Sequence, residues 1–277
     1  MAIYDKYAPF YDGSGQIRFA VLTSQYLSEV LERHRIEGSN VLDLACGTGT
    51  LACILADAGW DVIGLDQSEA MLALARERIS EELTGQLRFI KGDLRTLPTS
   101  YEACQAQWPE LADIWSFDLI TCCYDSLNYL LSEADLARCF AGVAWALAPG
   151  GLFYADMNTR YFLEYDWPAA EVLERSGFVQ ISQSWFDTTN DCSTMVLTGF
   201  VGNDAQGYRR FDEIHIERAY PAERVAALLE SAGLVLEAAY DCFTFQPVHD
   251  RTQRIAWIAR KPVVEHPHSA SHAIACA

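Results

Sequence analysis

The chain has 277 residues, of which 51% are hydrophobic, and a formal net charge of -18 at pH 7. This length and composition are sufficient for one large α/β core, and we expect one such core with an insertion. Because sequence-independent binding to a phosphate backbone needs clustered Lys and Arg, the charge argues against nucleic acid as a partner.

The nine cysteines show no C-x-x-C spacing, and several fall inside predicted buried elements. This pattern favours reduced thiols in a cytoplasmic protein over a disulfide framework. Cys122 and Cys123 are adjacent, but two thiols at a strand end are a simpler interpretation than a metal site, and we predict no metal. No apolar run reaches membrane-spanning length and the first residues lack a secretory signal, so we expect no membrane partner.

The first predicted region, residues 1–37, consists of an arm and a helix. Residues 4–12 are rich in tyrosine and contain Pro9, which favours a short helical or irregular arm rather than a strand. Tyr11 and then Tyr4 are candidates for a ligand contact, although the same aromatic rings could simply pack the arm onto the core. The apolar spacing after the arm predicts a helix over 18–34.

A buried strand then runs directly into a glycine turn at residues 41–50, which read VLDLACGTGT. The turn should open a helix over 51–58. Gly47 and Gly49 lack the Cβ that would keep a ligand away from the backbone. The first amides of the helix should point into the crevice at the carboxyl end of the strand, where open parallel sheets bind ligands.

Two classes of ligand use such a turn. Gly47, Gly49 and Ala52 fit the dinucleotide pattern G-x-G-x-x-A, so NAD or FAD is one interpretation. Asp43 counts against it, because a carboxylate beside the turn would repel a pyrophosphate. The same carboxylate suits a ligand that carries an amino group and a sulfonium, which describes S-adenosylmethionine.

Further strand-like stretches follow at regular intervals, and they read VIGLD at 62–66, FIKGDL at 89–94, FDLITC at 117–122 and LAPGGLFY at 147–154. Together with DLACGTG at 43–49 they resemble, in order, the motifs of the class I S-adenosylmethionine-dependent methyltransferases. The resemblance implies a doubly wound, seven-stranded, mostly parallel α/β sheet of the Rossmann-like methyltransferase type. It also implies that Asp66 holds the ribose hydroxyls and that Asp93 meets the adenine amino group.

The spacing of Asp66 agrees with this assignment, since it stands a little over about 20 residues past the turn, where a ribose-binding acid is expected. Ser68 should cap a helix over 69–79. Met71 could contact the adenine, although a Met at helical spacing is more often part of the core. The full set expected to bind S-adenosyl-L-methionine is Tyr11, Asp43, Ala45, Gly47, Gly49, Asp66, Gln67, Met71, Asp93, Leu94 and Cys122.

The stretch YDSLNYL at 124–130 follows the fourth strand, close to where the methyl group would be transferred. It resembles the same region of N-methyltransferases that act on amino sugars and on glycine, and it lacks the N/D-P-P-Y motif of nucleobase and glutamine methyltransferases. Tyr124 and Asn128 are therefore candidates for substrate positioning. A core-facing helix over 133–147 and a fifth strand to Asp156 follow, with Asp156, Asn158 and Tyr161 as further candidates.

Residues 161–220 change to strand-like alternation, with strands predicted at 179–185, 193–201 and 208–220. Such an antiparallel β insertion or cap, placed after the fifth strand, could roof the site or form the contact of a homodimer. Glu213, His215 and Glu217 should face one way and the intervening isoleucines the other. His215 is a candidate general base, although a lone His on the solvent side of a strand is usually just solvated.

Residues 221–262 should complete the core sheet of residues 38–160 with a helix over 221–229 and a closing pair of strands at 234–240 and 253–261. Residues 242–247 between those strands could line the acceptor pocket. Residues 263–277 are small and polar, which predicts a disordered tail.

We therefore expect methyl transfer from S-adenosylmethionine to an N or O atom of a small-molecule acceptor by in-line displacement. Tyr11, Tyr124, Asn128 and His215 are the residues expected to position and deprotonate the acceptor. Two alternatives stay open at this point, an NAD-linked oxidoreductase on the same fold and an S-adenosylmethionine-binding regulator without turnover.

Overall fold

Two β-sheets organise the computed structural model, which describes residues 3–203 and 205–263. Its helices are α1 Ala8–Tyr11, α2 Ile17–Arg33, α3 Thr50–Asp57, α4 Glu69–Arg76, α5 Tyr101–Gln107, α6 Glu133–Ala146 and α7 Ala222–Ser231. Its strands are β1 Asn40–Leu44, β2 Asp61–Asp66, β3 Leu87–Lys91, β4 Phe117–Cys122, β5 Leu147–Asn158, β6 Ala170–Arg175, β7 Phe178–Asp187, β8 Cys192–Asn203, β9 Gly207–Arg218, β10 Val235–Asp241 and β11 Arg254–Arg260.

The larger sheet has seven strands in the order β10-β11-β5-β4-β1-β2-β3. Strands β1 to β5 run parallel, and β11 pairs antiparallel with both β5 and β10. This confirms the doubly wound, mostly parallel sheet. The strand order reverses between β1 and β4, so a crevice is expected outside their carboxyl ends.

The central strands are apolar on both faces because helices cover both sides of the sheet. Leu42 and Leu44 of β1 belong to the apolar cluster that contains Phe140 of α6. Val41, on the opposite face, belongs to a second cluster with Leu27 of α2. The carboxyl ends of these rigid strands therefore offer a fixed platform for side chains that follow them.

The smaller sheet is antiparallel, in the order β6-β7-β8-β9, and it follows the fifth strand as predicted. The sequence predicted three of its strands and missed β6. Nearly every residue of β6 is exposed, so the strand lacks the alternation of buried and exposed side chains that reveals an amphipathic strand.

Several boundaries also differ from the predictions. Helix α4 ends at Arg76 and not at residue 79, and β5 continues to Asn158. Strand β3 ends at Lys91, so Asp93 does not close it. Asp93 instead caps a short 3-10 helix, Leu94–Thr96, by accepting the N–H of Arg95.

The alternative in which the polar face of β9 is solvated is wrong. His215 is fully buried and Glu217 is 2% exposed, whereas Ile214 is 59% exposed. The polar side chains turn inward because the N-terminal arm lies over them. Glu213 accepts the backbone N–H groups of Tyr4, Lys6 and Tyr7 at 3.1, 2.6 and 3.0 Å.

Among the described residues, no helix has both the length and the apolar character needed to cross a membrane. The predicted disordered tail lies outside the described residues from position 264 onward.

Candidate active site

A cavity of about 190 Å³ lies at the carboxyl ends of β1 to β4, beneath the N-terminal arm. Three acids line it: Asp43 and Asp66 at the carboxyl ends of β1 and β2, and Asp93 two residues beyond β3. Ala45, Gly47, Gln67, Met71 and Leu94 line it as well, so most of the residues expected to bind a cofactor share one space.

The two glycines of the turn have different structural roles. Gly47 has φ +55°, and no atom lies within 4 Å of the position that a Cβ would take, so its backbone is open to the cavity. Gly49 has φ +75°, but a Cβ there would lie 2.6 Å from the ring of Phe89. Gly49 therefore allows the turn to pack on Phe89 and does not line the cavity.

Asp66 fixes the shape of the turn. Its Oδ2 accepts the N–H of Gly47 at 2.9 Å, and its Oδ1 accepts the N–H of Ser68 at 2.8 Å. Burial raises the pKa of this carboxyl, and the backbone hydrogen bonds from Ser68 and Gly47 oppose the shift. The side chain is 8% exposed and retains lone pairs for a ligand hydroxyl.

Asp43 is 2% exposed and accepts one side-chain hydrogen bond, from the Thr121 hydroxyl at 2.7 Å. Burial is the main cause that raises the pKa of Asp43 to about 7; the Thr121 hydrogen bond lowers it and the Asp66 carboxylate raises it. No cation of the described chain forms an ion pair with Asp43 at this site. A cationic ligand group would complete the site, whereas a pyrophosphate would add charge of the same sign.

The third acid lies nearer to solvent. The Asp93 side chain is 29% exposed and pairs with Arg95, whose Nε donates to Oδ1 at 2.9 Å. The hydrogen bond from Arg95 holds the pKa of Asp93 below its usual value. Met71 is 2% exposed and Leu94 is 9% exposed, so this end of the cavity combines an apolar wall with a carboxylate.

Cys122 was expected to contact the cofactor, but it does not line the cavity. It is fully buried in β4, paired with Leu44 and Ala155. Successive side chains of an extended segment point to opposite sides, and it is the next residue, Cys123, that lines the cavity.

The N-terminal arm closes the cavity from above. Tyr4 and Tyr11 both line it. The arm is held to the core by Ser68, which donates to Asp5 at 2.8 Å, and by Thr48, which donates to Asp12 at 2.8 Å. Since Glu213 holds the same arm from the antiparallel sheet, the arm joins both sheets across the cavity.

The turn after β4 forms another wall. Tyr124 and Asp125 have φ +58° and +53°, which is unusual for residues other than glycine. Asp156 accepts both of their N–H groups, at 2.8 and 2.9 Å, and Arg254 forms ion pairs with both Asp125 and Asp156. Asp156 therefore holds this strained turn in place. It is fully buried and does not line the cavity.

Tyr124 lines the cavity as expected, with its ring stacked on Phe19 at 4.2 Å and its hydroxyl bonded to Gln16. Tyr129, from the same turn, lines the cavity too. Gln16 and Phe19 are lining residues that sequence reasoning missed. They lie at the start of α2, where nothing in the sequence pattern indicates a ligand contact.

Asn128 was expected to face the substrate, and the structure places it elsewhere. It is fully buried, and its amide nitrogen donates to the carbonyls of Asn158 and Arg218 at 3.0 and 2.9 Å. Its Oδ1 accepts the N–H of Asn158 at 2.9 Å. All of its polar atoms bind protein, so Asn128 joins β5 and β9 to the turn. The Asn158 side chain in turn donates to Glu217 at 2.8 Å.

His215 is neither solvated nor in the cavity lining. Its ring lies behind Tyr4, with the ring centroids 4.7 Å apart, and its Nδ1 is 3.3 Å from the Tyr129 hydroxyl. Direct contact between His215 and a substrate is therefore ruled out in this arrangement. Tyr161 does not line the cavity either.

A second, separate hollow lies beside the first and shares Phe19 with it. Cys242 and Phe243 line this hollow, together with Arg254. The loop at 242–247 thus borders the neighbouring hollow rather than the main cavity.

Comparison with known proteins agrees with this geometry. A family model described as a methyltransferase domain matches residues 41–151, which include the glycine turn and all three acids. A putative methyltransferase of Bacillus subtilis, YqeM, is 28% identical over 225 residues, covering 81% of this chain and 85% of its own length.

Two further relatives cover most of the chain. The dTDP-3-amino-3,4,6-trideoxy-alpha-D-glucopyranose N,N-dimethyltransferase of Streptomyces venezuelae is 26% identical over 236 residues, covering 84% of this chain and 90% of its own. The crystal structure of an S-adenosylmethionine-dependent methyltransferase from Clostridium acetobutylicum superposes with a TM-score of 0.77 at 28% identity, covering 94% of this chain and 99% of that one.

Proposed function

We propose that this S-adenosylmethionine-dependent methyltransferase, which resembles the class I enzymes, methylates the nitrogen of a small-molecule amine. The observation that supports this acceptor is the wall of neutral tyrosine hydroxyls and ring faces at the acceptor end of the cavity, with buried carboxylates lining the same cavity.

The cofactor end of the cavity suits a cationic nucleoside. The buried Asp43 lacks a cation, Gly47 leaves its backbone open, and Asp66 keeps lone pairs for hydroxyls. We assign Asp43 and Gly47 to the amino-acid end of the cofactor, and Asp66 to its ribose. Asp93, with Leu94 and Met71, would hold the adenine. When bound, S-adenosylmethionine supplies a methyl group on a positively charged sulfur that is already a good leaving group.

The acceptor end is formed by Tyr4, Tyr11, Tyr124 and Tyr129. Burial is the largest cause that raises the pKa of each of these phenols, so all four hydroxyls stay neutral near pH 7. Neutral phenols accept hydrogen bonds from N–H groups, and the faces of their rings attract cations.

The charges around this wall also favour an amine. The carboxyl groups of Asp43 and Asp66 line the same cavity. Arg95 is the only Arg or Lys among the described lining residues, and its charge is already paired with that of Asp93. The cavity therefore attracts an ammonium group and offers little to an anionic acceptor.

Nitrogen is favoured over oxygen as the methylated atom because the two kinds of acceptor differ in their need for a base. A hydroxyl acceptor needs a base within hydrogen-bond reach, whereas an amine has its own lone pair once it has lost one proton. The described residues at the acceptor end present neutral phenols, which can take the proton of an ammonium group far more readily than the proton of the much less acidic alcohol. The Streptomyces venezuelae relative is named as an N,N-dimethyltransferase, which also supports nitrogen as the methylated atom.

The proposal is tested by incubating the purified protein with S-adenosylmethionine and a panel of acceptors: D-glucosamine, putrescine and glycine, with D-glucose as the matched compound without an amine. The release of S-adenosylhomocysteine and the gain of one CH2 group in the product are measured by mass spectrometry. We expect transfer to an amine and none to D-glucose. Methylation of oxygen or carbon while every amine stays unreacted would contradict the proposal.

A further inference from the structure

We infer that Tyr4, Tyr129, His215 and Glu213 form a proton relay that carries the proton of the acceptor amine out of the cavity. The inference rests on the proposed amine methylation and adds residues that do not touch the acceptor. Its basis is a series of close polar contacts, in which the last step, from His215 to Glu213, is an approach of opposite polar groups and not a hydrogen bond. The hydroxyls of Tyr4 and Tyr129 are 2.9 Å apart, and the Tyr129 hydroxyl is 3.3 Å from Nδ1 of His215. Nε2 of His215 is 3.4 Å from Oε2 of Glu213.

The two ends of this series lie in different environments. Tyr4 and Tyr129 line the cavity, so their hydroxyls can reach an acceptor nitrogen. His215 is fully buried, and among the described residues its Nε2 has no hydrogen-bond partner, although the Glu213 carboxylate lies 3.4 Å away. The Glu213 side chain is 9% exposed and reaches the outer edge of the arm. A proton that enters at Tyr4 thus has a path to the surface at Glu213.

The groups packed around His215 are consistent with proton transfer in this direction. Tyr4 faces it from the arm, Tyr129 from the turn after β4, and Glu213 from its own strand, while the residue opposite on β8 is the uncharged Met195. Burial raises the pKa of both tyrosines well above the usual value, so their hydroxyls pass a proton on without forming a stable phenolate. One nitrogen of the His215 ring faces Tyr129 and the other faces Glu213, so the ring can take a proton on one side and release one on the other.

The transfer balances if each group gives up one proton as it gains another. The acceptor ammonium gives its proton to the Tyr4 oxygen, and the Tyr4 hydroxyl proton moves to the Tyr129 oxygen. The Tyr129 hydroxyl proton then moves to Nδ1 of His215, and the proton on Nε2 moves to the Glu213 carboxylate, which releases it to the solvent. The amine keeps the electron pair of the broken N–H bond and uses it to bond to the methyl carbon. Rotation of the hydroxyls and exchange of the imidazole tautomer restore the starting state.

The arm controls whether the path exists. Tyr4 belongs to the arm, and Glu213 holds that arm by accepting its backbone N–H groups. Any displacement of the arm would separate Tyr4 from Tyr129 and break the path. The proton can therefore leave only while the cavity is closed over its ligands.

The relay is tested with Tyr129→Phe, which removes one hydroxyl and keeps the ring, and with His215→Gln. Tyr101→Phe is the matched control, because the Tyr101 hydroxyl bonds to Asp113 at an exposed position on α5.

The rate of methyl transfer to D-glucosamine is measured against pH, and the affinity for S-adenosylmethionine is measured by calorimetry. We expect both relay variants to react about a hundredfold more slowly near pH 7, as for the loss of general base catalysis. Their rates should recover as the pH rises and more of the amine is unprotonated, and cofactor affinity should not change.

A second readout does not depend on the acceptor. In the protein labelled with 15N-histidine and bound to S-adenosylhomocysteine, we expect Nδ1 of His215 to be unprotonated and Nε2 to carry the proton, with a changed Nδ1 signal in Tyr129→Phe. A proton on Nδ1 with a bare Nε2 would overturn the relay. So would wild-type rates and pH profiles in both variants, and in that case amine methylation by the wild type would leave the proposed function standing. If the wild type methylates no amine, it is the proposed function that fails.

Discussion

Asp43 and Asp66 are buried carboxylates at the ends of neighbouring strands, yet their partners differ. Asp66 accepts two backbone N–H groups, which stabilise its charge whether or not a ligand is present. Among the described residues, Asp43 has one side-chain hydroxyl donor and no cation as a partner. Its charge therefore depends on what binds in the cavity, and this makes cofactor binding sensitive to pH.

The protonation state of Asp43 should make cofactor binding depend on pH. The pKa of Asp43 is raised to about 7 without ligand, mainly by burial, and a cationic ligand should lower it. Below pH 7 the free protein must release a proton before it can bind the cofactor, so the affinity for S-adenosylmethionine should fall by up to about tenfold per pH unit as the pH decreases. Calorimetric titrations between about pH 8 and pH 5, carried out in two buffers, measure both the affinity and the released proton.

Asp43→Asn is the control for this effect, because the amide cannot titrate. We expect its affinity to be lower than that of the wild type at pH 8 and nearly constant with pH. If the variant keeps the pH dependence of the wild type, another group is responsible and Asp43 does not hold a cation.

The two glycines give a matched pair of substitutions. Both residues have positive φ, so alanine should cost each site roughly 1–2 kcal/mol of folding free energy. Gly49→Ala also drives a Cβ into Phe89 and should cost about 1–3 kcal/mol more. Gly47→Ala places its Cβ in the open cavity and should instead weaken cofactor binding. Urea unfolding without ligand and calorimetry with it separate the two effects, and equal losses of stability would contradict the assignment.

At the scale of elements, the arm and β9 depend on each other. Glu213 accepts three N–H groups of the arm and thereby brings Tyr4 and Tyr11 over the cavity. Hydrogen bonds to charged groups contribute about 1.5–3 kcal/mol each to stability. The Glu213 carboxylate therefore stabilises the position of the arm more than a solvated carboxylate would. The antiparallel sheet therefore has a direct role in closing the site.

The corresponding prediction is that Glu213→Ala frees the arm while leaving the core intact. Hydrogen exchange at the amides of Tyr4, Lys6 and Tyr7 should become faster, because their acceptor is gone, whereas exchange in β1 should stay as in the wild type. Glu174→Ala, at an exposed position on β6, is the matched control and should leave the arm amides unchanged. Unchanged exchange in Glu213→Ala would show that other contacts hold the arm.

The elements differ in how well the sequence predicted them. The parallel strands were predictable because both faces of β1 and β4 are apolar, a pattern that local sequence fully expresses. The orientation of β9 was not predictable, because its alternation of polar and apolar residues is equally compatible with a polar face toward solvent or toward a polar wall. What decides it is Glu213 bonding to Tyr4, 209 positions away in the chain.

At the scale of the whole molecule, the cavity is enclosed by three parts of the chain that are distant in sequence. The parallel sheet contributes the acids, the turn after β4 contributes Tyr124 and Tyr129, and the arm closes the top. Tyr129 is 125 positions from Tyr4 and 86 from His215, yet its hydroxyl contacts both. The acceptor end therefore forms only in the complete fold.

This separation explains which half of the site the sequence could predict. Asp43, Gly47 and Asp66 each stand at a fixed offset from a recognisable strand, so their positions follow from local patterns. The acceptor end follows from long-range packing, which is why Asn128 was placed in the cavity and Gln16 was missed. The contact between two copies through the antiparallel sheet stays a prediction.

The central claim is that three strand-end acids and an open glycine turn form a site for a cationic nucleoside cofactor. Calorimetric titration of the wild type and of Asp66→Ala with S-adenosylmethionine and with NADH tests it most directly. We expect one S-adenosylmethionine to bind, no heat from NADH, and an affinity loss of roughly 1–3 kcal/mol in Asp66→Ala through the lost ribose hydrogen bonds. Tight binding of NADH without binding of S-adenosylmethionine, or wild-type affinity in the variant, would contradict the account.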